Sequence, residues 1–357
     1  MKQRVRYVDI AKGMSITLVA LGHSTIIDDV DVDTVNRMLG TVRMPFFFFL
    51  SGLFFNFSRG FLTTLVQKTD QLLKPYFVTL CLALTWHWWI NGANVSAEIV
   101  GALYGVGRTI PPPWIPLWYL PHLWLLFLSA WSMARCTDYP NRSPFFQAGM
   151  VCLLYAAGVF LLPEFRFIKI EVRDDSLFTP GLPFSLDLVP VSAAYFLLGV
   201  GARGLVGRFR PRVSAVVLCT AVVFMAGDYA HPKLNLNLRL IEQPILTGLT
   251  SLAGIYLAVC IAYLFDRTEW VARTFSKIGE KSLFVLIFHS CLYLRSVAVL
   301  NRFDLGWAEP LCALVACILG SVLLGELIQR IPVLSKLYYP IRGKGWIGTQ
   351  KKAYVAG

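Results

Sequence analysis

The residues best suited to do chemistry are ionisable side chains inside apolar segments. Lys12 and His23 are eleven positions apart, which on an α-helix places them on one face, about 16 Å apart along the axis. An imidazole can take a proton from a hydroxyl near neutral pH, and an ammonium can bind an anion such as phosphate. Asp9, one turn before Lys12, is spaced to pair with it. In the alternative interpretation, Lys12 snorkels to the membrane surface and His23 only ends the segment.

Two further histidines, His122 and His289, fall near the middle of other apolar segments. Three histidines at similar depth, in a chain with only five, favour a shared polar cavity. Taken singly, each is more often a hydrogen-bonding group between helices. No metal-binding spacing such as HExxH joins them, so no metal site is predicted. Ser51-Gly52 is interpreted as a notch for close helix packing rather than as a nucleophile, because no GxSxG elbow surrounds it.

The elements that carry these residues are predicted to be transmembrane helices. Hydrophobic residues make up 56% of the 357 positions and charged residues 15%, whereas a soluble domain carries about 25% charged residues. The sequence predicts an all-α integral membrane protein of about ten spans. Met44–Phe57 is the shortest, so it is either re-entrant or extended by its flanks. The ten candidates are Ile10–Ile27, Met44–Phe57, Pro75–Ile90, Ile115–Ala134, Phe145–Leu162, Phe184–Ala202, Val213–Gly227, Ile245–Phe265, Ser282–Leu300 and Pro310–Gln329.

Charge placement predicts the orientation of these spans. With the N-terminus in the cytoplasm, most of the 33 Lys and Arg residues fall in inner loops, as the positive-inside rule requires. Both termini are then cytoplasmic, and the net charge of +12 reflects topology rather than nucleic-acid binding. We expect one transmembrane domain over residues 1–340, a basic cytoplasmic tail over 341–357, contact with membrane lipids, and a place in a bacterial inner membrane.

The first span carries a family resemblance. Asp9–Gly13 followed by Leu18–His23 resembles the opening of the acyltransferase-three family of membrane O-acyltransferases, in which an Arg or Lys, ten residues and a His follow one another. The motifs are most similar to those of the fucose 4-O-acetylase-like branch. The paired arginines of many members are matched only loosely here, by Lys68 and Lys74. Similar later motifs occur in family order at Met44–Gly52, Leu73–Tyr76, Leu117–Leu120, Phe196–Gly199 and Ile278–Leu283, the last followed by His289.

The resemblance implies an O-acetyltransferase. Acetyl-CoA from the cytoplasm would be the co-substrate, no cofactor would be permanently bound, and a sugar hydroxyl of an envelope or exported polysaccharide, or of its lipid-linked precursor, would accept the acetyl group. His23 would be the general base, supported by Asp9. The axial offset of about 16 Å between Lys12 and His23 is comparable to the pantetheine arm of CoA. The residues predicted to hold the donor are Lys12, Arg59, Lys68 and Lys74.

The acceptor is predicted to enter from the outer side. Aromatic faces and hydrogen-bonding side chains suit a sugar ring, and the residues predicted to meet it are Arg43, Trp118, His122, Asp187 and His289. Direct transfer and an acyl-histidine relay both remain open. Two other functions remain open as well. One is a transporter of a small solute or lipid-linked sugar, which would favour inverted repeats that the sequence does not display. The other is a sensory or assembly subunit that binds an acyl ligand.

Overall fold

The computed structural model describes residues 5–24, 33–92, 96–172 and 175–341. Most of the predicted basic tail therefore lies outside the described residues. Over the described ranges the chain is a helical bundle with two small β-hairpins. The helices are α1 (Arg6–Leu21), α2 (Asp33–Phe54), α3 (Phe61–Lys68), α4 (Lys74–Asn91), α5 (Ser96–Tyr104), α6 (Tyr119–Thr137), α7 (Pro144–Leu161), α8 (Val189–Val206), α9 (Val213–Met225), α10 (Pro244–Phe265), α11 (Glu269–Glu280), α12 (Ser282–Leu300), α13 (Ala308–Arg330) and α14 (Pro332–Tyr338).

Each of the ten predicted spans overlaps a helix of this bundle, and the last residues of the first span, 25–27, lie outside the described residues. In the part of the chain that the structure covers, five helical segments are long and apolar enough to cross a membrane by themselves. They confirm a helical membrane protein, while the count of ten crossings and the orientation of the termini stay predictions. The five segments are Pro144–Phe165, Pro183–Val206, Pro244–Phe265, Ser282–Leu300 and Ala308–Arg330.

The shortest predicted span is extended upstream rather than re-entrant. Helix α2 has 22 residues and includes Pro45, so it is about 33 Å long. The polar residues before Met44, among them Arg37, continue the helix instead of ending it. The apolar run alone therefore underestimated this helix, because an amphipathic first half does not register as an apolar run.

Small residues bring α2 and α8 into close contact. A Cβ atom on Gly52 would overlap the backbone carbonyl of Phe196, and one on Gly199 would overlap that of Phe49. Glycines of this kind let backbones approach in membrane bundles, where the hydrophobic effect does not drive helices together. The interpretation of Gly52 as a packing notch is confirmed.

The two ends of the bundle differ in chemistry. The basic end is where α1, α4 and α12 begin, and there Arg6 forms ion pairs with Asp266 and Glu269. Hydrogen bonds from Arg6 and Arg273 lower the pKa of the Glu269 carboxyl, because both stabilise its charged form.

The hairpin end is where α1 finishes and where both β-hairpins lie. Strand β1 (Ile168–Val172) pairs with β2 (Asp175–Thr179), and β3 (Lys233–Asn235) with β4 (Leu240–Glu242), each antiparallel. The sequence prediction of an all-α chain omitted these hairpins. They are short connections whose strands satisfy each other's backbone groups, and so they produce no apolar period long enough to recognise.

Candidate functional site

Two cavities lie toward opposite ends of the bundle. The basic-end cavity has a volume of about 390 Å³ and includes Lys12 and Lys68 in its lining. The hairpin-end cavity has a volume of about 240 Å³ and includes His23, Arg43 and Trp118. They share three lining residues, which form the wall between them: Phe47, Tyr119 and Leu286. The predicted base and the predicted donor cation thus face different cavities across one thin wall.

Aromatic rings hold the two cations of the basic-end cavity. The Nζ atom of Lys12 lies 4.5 Å from the ring centre of Phe54, and that of Lys68 lies 3.6 Å from the ring centre of Phe127. Such cation–π contacts stabilise an ammonium in an apolar setting while leaving its N–H donors able to bind an anion. A π-helical turn, Thr69–Leu73, follows Lys68 directly and joins α3 to α4. Two ammonium groups at one cavity suit a phosphate-bearing ligand.

The other two predicted donor residues lie outside the lining of this cavity. Arg59 donates a hydrogen bond to the side-chain carbonyl of Gln67. The Nζ atom of Lys74 lies 2.5 Å from a carboxylate oxygen of Asp70 and 2.7 Å from the carbonyl oxygen of Tyr339. Asp70 already balances the charge of Lys74. The structure therefore brings together Lys12 and Lys68, and donor contacts from Arg59 and Lys74 stay predictions.

His23 lies just beyond α1 rather than within it. The helix ends at Leu21, and the backbone N–H of His23 donates to the carbonyl of Ala20 at 3.1 Å, three residues back. The assumption of an unbroken helix from Lys12 to His23 was wrong, since Gly22 weakens the helix at its end. The two side chains nevertheless open into the two cavities. Asp9 is not among the lining residues of either cavity, so a supporting role for it stays a prediction.

A second histidine lies against His23. The ring centres of His23 and His289 are 5.3 Å apart, with the rings inclined at 50°. His289 is fully buried in α12, and its Nδ1 atom lies 2.7 Å from the carbonyl oxygen of Val285 and 3.1 Å from that of Leu286. His289 was predicted to meet the acceptor, but it is not among the residues that line the hairpin-end cavity. The structure places its ring against that of His23, and contact with the acceptor stays a prediction.

Arg43 occupies the space that a side chain at position 22 would need. A Cβ atom on Gly22 would overlap the guanidinium of Arg43. Within the described chain, the Nη1 atom of Arg43 is buried and has no hydrogen-bond partner. A buried donor without a partner is costly unless a ligand satisfies it. Together with Trp118 and the loop residues Asn235 and Asn237, Arg43 gives this cavity both an aromatic face and polar side chains.

His122 has a packing role. Its Nδ1 atom lies 3.1 Å from the carbonyl oxygen of Ser185, and its Nε2 atom 3.1 Å from the hydroxyl of Ser192. Phe184 and Ser185 both have left-handed backbone conformations, with φ of 55° and 56°, which non-glycine residues seldom adopt. His122 is not among the cavity-lining residues. It stabilises this bend before α8, and contact with the acceptor stays a prediction.

Asp187 forms a buried ion pair rather than lining the cavity. Its carboxylate oxygens lie 2.8 Å and 3.2 Å from two guanidinium nitrogens of Arg239, and a third bond of 2.8 Å comes from the backbone N–H of Leu182. Both charged side chains are fully buried. Arg239 follows the cavity-lining residues Asn235 and Asn237, so the pair fixes the loop that closes the cavity.

Arg239, Asn235 and Asn237 were missed from the sequence. One signal could have found Arg239. It is a cation in a loop assigned to the outer side, where the positive-inside rule disfavours it, so it calls for a local partner. The two asparagines have no such signal, because a loop has no periodicity that indicates which way a side chain faces.

Comparison with known families agrees with this arrangement. The profile of the acyltransferase domain family matches residues 5–326, which include Lys12, His23 and every helix up to most of α13. Comparison with curated proteins and with solved structures gives no match. The resemblance to the family is thus confirmed, whereas the fucose 4-O-acetylase-like branch stays a prediction. The chain belongs to the acyltransferase-three family and is a membrane acyltransferase.

Proposed function

We propose that this acyltransferase moves an acetyl group from cytoplasmic acetyl-CoA to a sugar hydroxyl of an envelope or exported polysaccharide, or of its lipid-linked precursor. The donor occupies the basic-end cavity and the acceptor the hairpin-end cavity, in a bacterial inner membrane. One observation carries the proposal: two cavities with different chemistry lie toward opposite ends of the bundle and share the wall formed by Phe47, Tyr119 and Leu286.

The donor assignment is supported by charge. CoA carries phosphates at one end and the thioester at the other, joined by a long flexible arm. Lys12 and Lys68 line this cavity and can bind the phosphates, and the apolar part of its lining, including Leu123 and Phe127, suits the arm. For the transfer, the thioester end has to pass between the side chains of the shared wall to meet the acceptor hydroxyl beside His23.

The acceptor assignment is supported by the hairpin-end lining. The indole of Trp118 offers a face to a sugar ring, and Arg43, Asn235 and Asn237 offer hydrogen bonds to its hydroxyls. His23 lies at the same cavity, where it can reach the hydroxyl that attacks.

The proposed chemistry is a direct transfer. His23 takes the proton from the acceptor hydroxyl while the hydroxyl oxygen forms a bond to the carbonyl carbon of the thioester. The π electron pair of the carbonyl moves onto the carbonyl oxygen, which gives a tetrahedral intermediate. Collapse of this intermediate restores the carbonyl and breaks the carbon–sulfur bond. The thiolate of CoA takes the proton back from His23 and leaves as the free thiol. No oxidant, reductant or metal is needed for this balance.

The test uses purified protein in detergent or nanodiscs with acetyl-CoA and a panel of sugar acceptors that includes fucosides. We expect release of free CoA thiol together with acetylated sugar detected by mass. His23→Ala should reduce the rate by about 10²–10⁴-fold, the contribution of one general base. The matched control is His87→Ala, an exposed histidine outside both cavities, which should keep the wild-type rate. Near-wild-type turnover by His23→Ala would show that His23 is not the general base.

A further inference from the structure

Of the two ring nitrogens of His289, Nδ1 is satisfied and Nε2 has no hydrogen-bond partner among the described residues. Carbonyl oxygens only accept hydrogen bonds, so the contacts of Nδ1 with the carbonyls of Val285 and Leu286 require the proton to be on Nδ1. A neutral ring then has only a lone pair on Nε2, and a doubly protonated ring would place a charge inside the apolar bundle, which is costly. Within the described ranges, this Nε2 atom is buried and has no hydrogen-bond partner. We expect such an acceptor to receive a hydrogen bond from a side chain that can change its orientation.

The ring of His23 lies against that of His289 and can supply that donor. Each imidazole nitrogen lies about 1.2 Å from its ring centre, so centres 5.3 Å apart allow an N···N distance of about 3 Å, a normal hydrogen bond, when one nitrogen of each ring faces the other. His23 follows the end of α1 and its side chain is exposed to the cavity, so it can turn to make this bond. His289 is held in place by its helix and its two carbonyl contacts. Among the described residues, Arg43 is a charged side chain that lines the same cavity as His23.

We propose that His23 donates its N–H to Nε2 of His289, so that His289 is a positioning residue that fixes the tautomer and direction of the catalytic base. With one nitrogen of His23 bonded to His289, the other presents its lone pair to the cavity. When His23 takes the acceptor proton, the same bond stabilises the imidazolium. This inference rests on the proposed function for its catalytic meaning, although the bond itself can be observed without any reaction.

The kinetic test compares three variants. His289→Leu removes the acceptor atom and should lower kcat by about 10²-fold, the lower end of what a general base contributes, with KM for acetyl-CoA and for the sugar unchanged. His289→Gln restores a hydrogen-bond acceptor and should recover part of that loss. The control is Tyr195→Phe, in α8 and outside both cavities, which removes another buried side-chain oxygen that has no hydrogen-bond partner among the described residues. It should keep the wild-type kcat.

The independent test is nitrogen NMR of protein labelled with ¹⁵N-histidine and reconstituted in bilayers. We expect an unprotonated Nε2 on His289 and a scalar coupling between that atom and a nitrogen of His23. The coupling should vanish in both His23→Ala and His289→Leu. Wild-type protein that transfers no acetyl group but shows the coupling would overturn the proposed function and keep this inference. Absence of the coupling, or an unchanged kcat in His289→Leu, would overturn the inference even if transfer is observed.

Discussion

At the scale of single residues, position relative to the cavities separates side chains of the same type. Lys12 and Lys68 line the basic-end cavity and pack on aromatic rings, whereas Lys74 lies outside that lining and pairs with Asp70. The three histidines of the bundle differ in the same way. His23 lines a cavity, whereas His122 and His289 are buried and form hydrogen bonds with backbone carbonyls. Residue type therefore identifies candidate functional residues, and the surroundings of each side chain distinguish binding or catalytic roles from structural ones.

Lys12 should act on donor binding rather than on the chemical step. Lys12→Ala removes a charge-assisted hydrogen bond to phosphate worth about 1.5–3 kcal/mol, which corresponds to about 10–100-fold weaker acetyl-CoA binding. Lys12→Arg should keep most of the affinity, because both side chains bind phosphate. Isothermal titration with acetyl-CoA measures this, with the exposed Lys336→Ala as control. If affinity stays constant while catalysis is lost, Lys12 has a structural role instead.

Gly22 should matter because of the guanidinium beside it. In Gly22→Ala the new methyl group would displace Arg43 from its place next to His23. Because the displaced group is the end of a flexible side chain, we expect little change in thermal stability but a several-fold rise in KM for the sugar. Gly204→Ala is the matched control, since a Cβ there meets no neighbour. Equal KM values for both variants would show that Arg43 does not bind the acceptor.

At the residue scale, the prediction from sequence gave the relative depth of Lys12 and His23, although it continued the first helix past its observed end at Leu21. The spacing of Lys12 and His23 placed them at different depths of one segment, and each opens into its own cavity. It failed where a contact joins distant parts of the chain. The pairing of Asp187 with Arg239, or of His23 with His289, depends on tertiary packing that spacing within one helix does not contain.

At the scale of elements, the apolar runs located the helices because lipid leaves a crossing segment few other structures. They did not locate the hairpins, whose strands are only three to five residues long. The β3–β4 hairpin nevertheless carries part of the hairpin-end cavity through Asn235 and, in its turn, Asn237. Its position depends on the ion pair between Arg239 and Asp187.

Removing one member of this pair should destabilise the hairpin end. Asp187→Ala leaves the Arg239 guanidinium buried without its partner, which costs about 3–5 kcal/mol. The double variant Asp187→Ala with Arg239→Ala should lose less than the sum of the two single changes. Thermal unfolding in detergent measures this. As control, Arg273→Ala breaks an exposed ion pair with Glu269 and should change little. Additive losses in the double variant would mean that the pair does not couple.

At the scale of the whole molecule, the family membership and the helical membrane fold are shown. The two cavities make the two ends of the bundle chemically different. Cations suited to CoA line the cavity at the basic end, and the polar loop residues line the other. The proposed function requires the acetyl group to pass the wall of Phe47, Tyr119 and Leu286, so donor and acceptor never need to share a compartment.

Transfer across the membrane is the most direct test of this account. The protein is reconstituted in sealed vesicles, and its orientation is established by labelling a single introduced cysteine at each end of the bundle. Acetyl-CoA is supplied only on the side of the basic end and the sugar acceptor only on the side of the hairpin end. The account predicts acetylated sugar on the hairpin side and CoA thiol on the basic side, both lost in His23→Ala. Product formed only when donor and acceptor are on the same side would contradict it.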